Sequence, residues 1–136
     1  MIVIKNKIIP PPGFKDLTFW PWLFVRAKYM TGKDMRHGEI HGCQQKELLV
    51  CGVVLAILLA LAGCEWWSLM ALPLWLWVYV GLWLWQLVVM ACKGAGNIWQ
   101  AAYRRNPLER EAYFFEGDEW YVERRKPFAW LNFIND

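Results

Sequence analysis

The two histidines of this 136-residue chain lie four residues apart, in the segment His37-Gly38-Glu39-Ile40-His41. Side chains at positions i and i+4 lie on the same face of a helix, so both imidazoles can reach one metal ion. Imidazole nitrogen is a common ligand of Zn²⁺. The spacing therefore indicates a candidate metal site, with ordinary local packing of the two histidines as the alternative interpretation.

A carboxylate that could complete this site stands later in the chain, in Glu109-Arg110-Glu111. The two glutamates are about 200° apart around a helix, so only one can point at the histidines while the other faces a nearby arginine or solvent. One carboxylate of this segment, Glu109 or Glu111, is therefore a plausible third ligand. Two histidines and one glutamate with an open fourth position are typical of catalytic zinc sites. A solvated, salt-bridged helix face is the competing interpretation.

The composition indicates that membrane helices position these residues. The chain is 57% hydrophobic and 20% charged, whereas soluble domains are about 45–50% apolar and about a quarter charged. The 45 residues between Glu47 and Lys93 carry one formal charge, Glu65. This pattern excludes an ordinary water-soluble fold, a disordered tail and a disulfide-stapled secreted module. The net charge of +3 is too small to indicate nucleic-acid binding.

The apolar run divides at Glu65 into two segments that are each long enough to cross a bilayer once. A helix needs about 20 residues to span about 30 Å of hydrocarbon. We predict transmembrane helix 1 over residues 48–64, a turn over residues 65–72 and transmembrane helix 2 over residues 73–92. A soluble, buried hairpin is the alternative, but the rest of the chain offers too little material to cover two such helices.

The distribution of charge sets the predicted orientation of this hairpin. Eight Lys and Arg residues precede Leu48, seven follow Cys92, and the loop between the two segments has none. The positive-inside rule then places both termini in the cytoplasm. Because two crossings return the chain to the side that it left, we expect Glu109 on the same side of the membrane as His37 and His41.

The predicted fold class is an all-α membrane protein, a transmembrane helical hairpin with a small cytoplasmic helical subdomain. Residues 1–36 are predicted to form an extended, interfacial segment, and residues 37–47 a helix that carries the two histidines into the membrane. Residues 93–136 are predicted to form a helical cytoplasmic region. In that region a short helix is expected over residues 98–105, and another is expected to begin at Pro107.

Two stretches of the chain carry motifs of a known kind. They comprise His37, His41, Gln44, Glu47 and Leu48 before the hairpin and residues 108–113 after it. In this pattern the chain resembles small bacterial two-span membrane proteins with an HExxHxxQxxEL motif and a downstream EREAY segment. That pattern is in turn similar to gluzincin-type membrane metallopeptidases, which carry HExxH, transmembrane helices and a later ExxxD. The resemblance covers residues 37–113 and implies a location in the bacterial inner (cytoplasmic) membrane.

The resemblance also implies Zn²⁺ as the cofactor, with His37 and His41 as the first two ligands and Glu109 as the third. Tyr113 stands where the peptidases have aspartate, which leaves open which residue supports the ligands from behind. Gln44, Glu111 and Tyr113 are candidates for that supporting role or for alternative ligation.

The chain departs from the HExxH pattern at Gly38. In the peptidases this position holds the glutamate that takes a proton from water and passes it to the leaving amine. Glu39 comes one residue late, about 100° around the helix, and is the candidate catalytic residue only if the turn is distorted. Loss of the base costs several orders of magnitude in rate. We therefore expect the site to be catalytically degenerate.

The sequence leaves three functional hypotheses. The leading one is an integral inner-membrane protein with a degenerate, metallopeptidase-like zinc site. The second is a non-enzymatic accessory subunit, bound to a larger membrane protein or to further copies of itself through the tryptophan-rich hairpin, whose indoles point to more than one helix face. The third is an active peptidase with an unusual base. Besides the lipid bilayer, the sequence identifies neither a partner nor a substrate.

Overall fold

The computed structural model describes residues 1–10, 12, 16–26 and 30–135, so residues 11, 13–15, 27–29 and 136 lie outside the described part of the chain. Three short strands come first and are followed by helices. The elements are β1 (Ile2–Lys5), β2 (Asp16–Phe19), β3 (Trp22–Val25), α1 (Gly32–Leu61), α2 (Glu65–Ala71), α3 (Leu74–Cys92), α4 (Ile98–Arg105), α5 (Pro107–Phe115), α6 (Tyr121–Arg124) and a 3₁₀ helix (Ala129–Phe133).

Helix α1 carries both the histidines and the first apolar segment. It begins at a capping box, in which the Thr31 hydroxyl accepts from the Asp34 amide and the Asp34 carboxylate accepts from the Thr31 amide. Its 30 residues form a rod about 45 Å long at 1.5 Å per residue. His41 lies seven residues before Leu48, or about 10 Å along the axis. The helix therefore holds the histidines at a fixed short distance from the apolar segment.

The second half of α1 and helix α3 form the predicted hairpin. Both helices are long and apolar enough to cross a membrane, which confirms the two predicted spans in length and composition. Only 22% and 6% of the residues in their most apolar stretches are buried inside the protein. The predicted turn over residues 65–72 is instead mostly helical, because α2 occupies it. At Gly52 helix α1 lies close to the end of α2, since an added Cβ would lie 2.7 Å from the Ala71 carbonyl oxygen.

The chain is mostly helical, as predicted. Its N-terminal segment, however, forms a three-stranded sheet, which the predicted all-α class does not include. The strand order is β1-β3-β2, with β1 parallel and β2 antiparallel to β3. The interfacial, extended segment predicted over residues 1–36 falls partly outside the described residues, at 11, 13–15 and 27–29. Where it is described, strand residues rich in branched and aromatic side chains pair with one another.

The sheet packs its inner face on the N-terminal half of α1. Leu23 is 0% exposed and Val25 is 2% exposed, and an added Cβ at Gly38 would lie 2.6 Å from the Leu23 Cδ1 atom. On the neighbouring strand, the Thr18 hydroxyl donates to the Gly38 carbonyl at 3.4 Å. Gly38 therefore provides the flat surface on which the sheet lies.

Gln45 fastens the far end of β2 to the same helix. Its Nε2 donates to the Thr18 carbonyl at 2.8 Å, and its Oε1 accepts from the Trp20 amide at 2.7 Å. One side chain of α1 thus satisfies both a backbone donor and a backbone acceptor at the end of the strand. This fixes how β2 lies along α1.

The C-terminal region returns helix α5 to the side of α1 that carries the histidines. As predicted, α5 begins at Pro107; the Asn106 side chain accepts from the Leu108 amide at 3.1 Å and donates to the Tyr79 carbonyl of α3 at 3.2 Å. Two small buried clusters hold these helices together. They are Ile40, Ala112 and Tyr121, and Leu48, Leu108 and Trp130.

Candidate metal centre

The structure brings His37, His41 and Glu109 together, as the sequence predicted. The Nε2 atoms of the two imidazoles are 3.1 Å apart. The His37 Nε2 lies 3.5 Å from Oε2 of the Glu109 carboxylate, and the His41 Nε2 lies 3.5 Å from Oε1. The side chains are 11%, 15% and 4% exposed, in the same order. This group could hold a metal ion.

The pairwise spacing of these atoms is close to that around a tetrahedral ion. With bonds of about 2.0–2.1 Å to nitrogen and oxygen, two corners of a tetrahedron around Zn²⁺ are about 3.3 Å apart. The two Nε2 atoms are 3.1 Å apart, and each is 3.5 Å from the Glu109 oxygen that it faces. The two imidazoles face different oxygens of that carboxylate, and one ligand atom from each of the three residues lies within 4.8 Å of the others.

The tautomer of His41 is fixed by Gln44. The Gln44 Nε2 donates to the Leu108 carbonyl at 3.0 Å and to the Glu111 carboxylate at 2.9 Å. Its Oε1 must then be the atom that accepts, at 2.8 Å, from the Nδ1 of His41. With its proton on Nδ1, His41 directs the lone pair of Nε2 into the group.

A carboxylate that the sequence reasoning missed, Glu116, does the same for His37. Its Oε2 lies 3.2 Å from the His37 Nδ1 and can only accept, so Nδ1 donates and Nε2 is again the free ligand atom. Tyr113, at the position of the peptidase aspartate, packs its ring 4.6 Å from the His37 ring instead. Glu116 follows Glu109 by seven residues, two helical turns, and that spacing was the available signal.

The two Nε2 atoms and the Glu109 carboxylate therefore point at one another. The Glu109 Oε1 accepts from the Tyr79 hydroxyl at 2.8 Å, whereas Oε2 is buried and has no hydrogen-bond partner among the described residues. Although burial opposes ionisation, the imidazoles of His41 and His37 hold the pKa of Glu109 far below its usual range. Burial alone would lower the pKa of His41, but the Glu109 charge outweighs it and raises that pKa. The donor set thus suits a cation.

Glu111 lies outside the group. It was expected to face solvent or a nearby arginine, but its charged partner is an arginine 14 residues later in the chain. Its side chain is fully buried and accepts from the Tyr121 hydroxyl at 2.8 Å, the Gln44 amide, and the Arg125 guanidinium at 2.5 and 3.1 Å. Arg125 also pairs with Glu47. This buried network anchors Gln44, and through it the imidazole of His41.

Glu39, the candidate base, lies apart from the group. It stands one turn before Cys43 on α1. Burial raises the pKa of that thiol, and the nearby charge of Glu39 raises it further. Neither residue is among the described side chains that line the cavity beside the histidines. The regular helix through Gly38 therefore leaves Glu39 directed elsewhere.

That cavity has a volume of about 450 Å³, within the range of small-molecule sites. Its floor is the His37–His41–Glu109 group, and its walls come from β2, α3 and α4. The wall includes Asp16, which the sequence reasoning did not consider. Burial raises the pKa of Asp16 by more than the nearby His37 and His41 lower it.

Comparison of the chain with protein-family models, with curated proteins and with solved structures finds no match. The chain itself provides two helices that are apolar enough to cross a membrane. Between them and the N-terminal sheet it provides a cavity with a His37–His41–Glu109 group that could hold a metal ion.

Proposed function

We propose that the protein is an integral membrane protein that holds Zn²⁺ at His37, His41 and Glu109. The observation that carries this proposal is the convergence of two imidazole Nε2 atoms, 3.1 Å apart, on the buried Glu109 carboxylate. Each Nε2 lies 3.5 Å from one of its oxygens, and Oε2 has no hydrogen-bond donor among the described residues. Ca²⁺ and Mg²⁺ prefer sites built from oxygen alone. A set of two nitrogens and one carboxylate with an open fourth position is instead typical of Zn²⁺.

The uncovered apolar surface of the hairpin supports insertion into the bilayer. Leu58, Leu61, Trp85 and Val88 are between 59% and 81% exposed, in the two helices that could cross. Water contact at so many large apolar side chains is unfavourable, and lipid would remove it. With the lysines and arginines on both flanks, the proposed location is the bacterial inner membrane with both termini and the metal centre on the cytoplasmic side.

Packing at Gly38 supports a site without the proton transfer of the gluzincin peptidases that the chain resembles in sequence. The position that holds the glutamate in HExxH has no room for a side chain, because Leu23 lies 2.6 Å from where its Cβ would be. The protein is therefore proposed to be catalytically degenerate with respect to that mechanism. Replacing Gly38 by glutamate alone would not rebuild it, since the sheet fills the space.

An accessory role in a larger membrane complex is the second candidate. Trp66 and Trp67, at the closed end of the hairpin, are 83% and 69% exposed. Aromatic side chains are enriched where proteins contact one another and also at the membrane interface. Gentle solubilisation and size analysis separate the two: a fixed-ratio complex or oligomer supports the accessory role, and a monomer counts against it.

Metal analysis of the detergent-purified, full-length protein tests the leading proposal. We expect about one zinc per chain, lost in His37→Ala, His41→Ala and Glu109→Ala. Glu39→Gln is the matched control, because it removes a carboxylate of the same helix that lies outside the group. Wild-type protein without stoichiometric zinc, or zinc that survives all three ligand substitutions, would refute the proposal.

A further inference from the structure

The sheet that fills the space at Gly38 also brings a new carboxylate to the cavity. Alternate residues of a strand point to the same face, so Asp16 lies on the face of β2 that carries Thr18. That is the inner face, because the Thr18 hydroxyl contacts the Gly38 carbonyl of α1. In register, Thr18 pairs with the buried Leu23, and Asp16 pairs with the buried Val25. The sheet that leaves no room for a glutamate at position 38 thus offers an aspartate on β2, two residues from Thr18.

Asp16 lines the same cavity as the candidate metal ligands. The charged and titratable groups that face it come from every neighbouring helix: Asp34, His37 and His41 of α1, Glu109 of α5, and the phenols of Tyr79 and Tyr103 on α3 and α4. Among the residues that the structure describes, its carboxylate has no hydrogen-bond or ion-pair partner. Asp16 is therefore a partly buried carboxylate that is free to act on whatever occupies the cavity.

The other carboxylates of the region cannot take this role. Glu39 does not line the cavity. Glu111 is fully buried and already accepts from Arg125, Tyr121 and Gln44. Glu109 is directed at the two imidazoles. Asp16 is the one acidic side chain of the described cavity wall that is not bound in this way.

We infer that Asp16 is the proton acceptor of this site, taking the proton from an acid or water molecule that binds on the open side of His37, His41 and Glu109. The inference rests on the proposed metal site. When a neutral acid binds, its O–H bond breaks, the anion stays in the cavity and the proton moves to the Asp16 carboxylate. No proton leaves the protein. Zn²⁺ would supply the positive charge that stabilises the bound anion.

Proton release on ligand binding tests this role without any assay of activity. Acetohydroxamic acid, which is neutral in solution at neutral pH and binds metals as an anion, is titrated into the cobalt-loaded full-length protein and followed by visible absorption. With Asp16 as acceptor, the apparent Kd should not change between about pH 7 and 8, because no proton is released. In Asp16→Asn the proton must leave, so the Kd should fall about tenfold over that pH unit.

Two further variants keep the result interpretable. Glu39→Gln should behave like the wild type, and Asp16→Glu should retain the pH-independent Kd because it keeps a carboxylate. A pH-independent Kd in Asp16→Asn would overturn the inference, and so would loss of cobalt from that variant, since Asp16 would then be a ligand. Wild-type protein that binds no cobalt would refute the metal site itself and the inference with it.

Discussion

A side chain at position 38 should destabilise the protein, and the cost should shrink when Leu23 is made smaller. A Cβ at Gly38 would lie 2.6 and 3.1 Å from the two methyl carbons of Leu23, whereas carbon atoms in contact are about 3.5–4.0 Å apart. Such overpacking costs about 1–3 kcal/mol. Replacing a helical glycine by alanine returns about 1 kcal/mol. Gly38→Ala should therefore lower the free energy of unfolding by up to about 2 kcal/mol.

A double-mutant cycle isolates this contact. Leu23 is 0% exposed, so Leu23→Ala alone should cost about 2–5 kcal/mol. In the double variant the new methyl group at position 38 enters the space that Leu23 vacates, and the combined cost should be about 1–3 kcal/mol less than the sum. Denaturant titration of the four detergent-solubilised proteins gives the free energies. Strictly additive costs would refute the packing of the sheet on Gly38.

Three further predictions concern the support of the metal centre. Gln44→Leu should weaken zinc affinity by about 10–100-fold, measured in competition with a chelating indicator. Gln45 bonds the sheet rather than an imidazole, so Gln45→Leu should leave the affinity unchanged. Equal losses of affinity in the two variants would contradict the role assigned to Gln44. Arg125→Ala leaves Glu47 and Glu111 without their cation and should lower the free energy of unfolding by about 3–5 kcal/mol. Arg124 is exposed, so Arg124→Ala should cost at most about 1 kcal/mol. Similar costs for the two variants would argue against a buried network. Because Glu109 raises the pKa of His41 despite burial, the apparent zinc affinity should begin to weaken, as the pH falls, above the ordinary imidazole pKa of about 6.5. Competition with a chelating indicator from pH 8 downward measures this, and an affinity that stays constant until well below about pH 6.5 would contradict it.

The hairpin and the ligand set were predictable because they depend on local patterns. The apolar run is continuous, and the spacing of His37 and His41 implies one helix face. The resemblance favoured Glu109 over Glu111, and helical geometry allowed only one of them to point inward. The return of the chain at the end of the predicted hairpin then placed these groups together. Each step needed only residues close in sequence or a count of the predicted spans.

The sheet could not be predicted in the same way, because its strands have four residues each and recognise one another only in three dimensions. Strand β1 pairs with β3 across twenty positions, in the register Ile2 to Trp22. Missing the sheet meant missing Asp16. The interpretation of Gly38 as a simple loss was also incomplete, since the glycine permits the sheet to lie on α1.

The residues that hydrogen-bond the two imidazoles were predictable only in part. Gln44 falls three residues after His41, which is a local spacing that sequence reasoning can use. Glu116 has a usable spacing from Glu109 but lies at the end of α5, where helical geometry is uncertain from sequence. Arg125, which neutralises Glu111, lies beyond a turn and a further helix. Such a pairing follows from packing rather than from any periodicity.

X-ray absorption at the zinc edge of the full-length, detergent-purified protein tests the proposed centre most directly. The four cysteines are free in the structure, so a sulfur-bound ion is the clearest competing outcome. We predict two imidazole nitrogens and additional oxygen ligands at about 2.0–2.1 Å, with no sulfur at about 2.3 Å. A sulfur shell, or the absence of bound zinc, would contradict a centre formed by His37, His41 and Glu109.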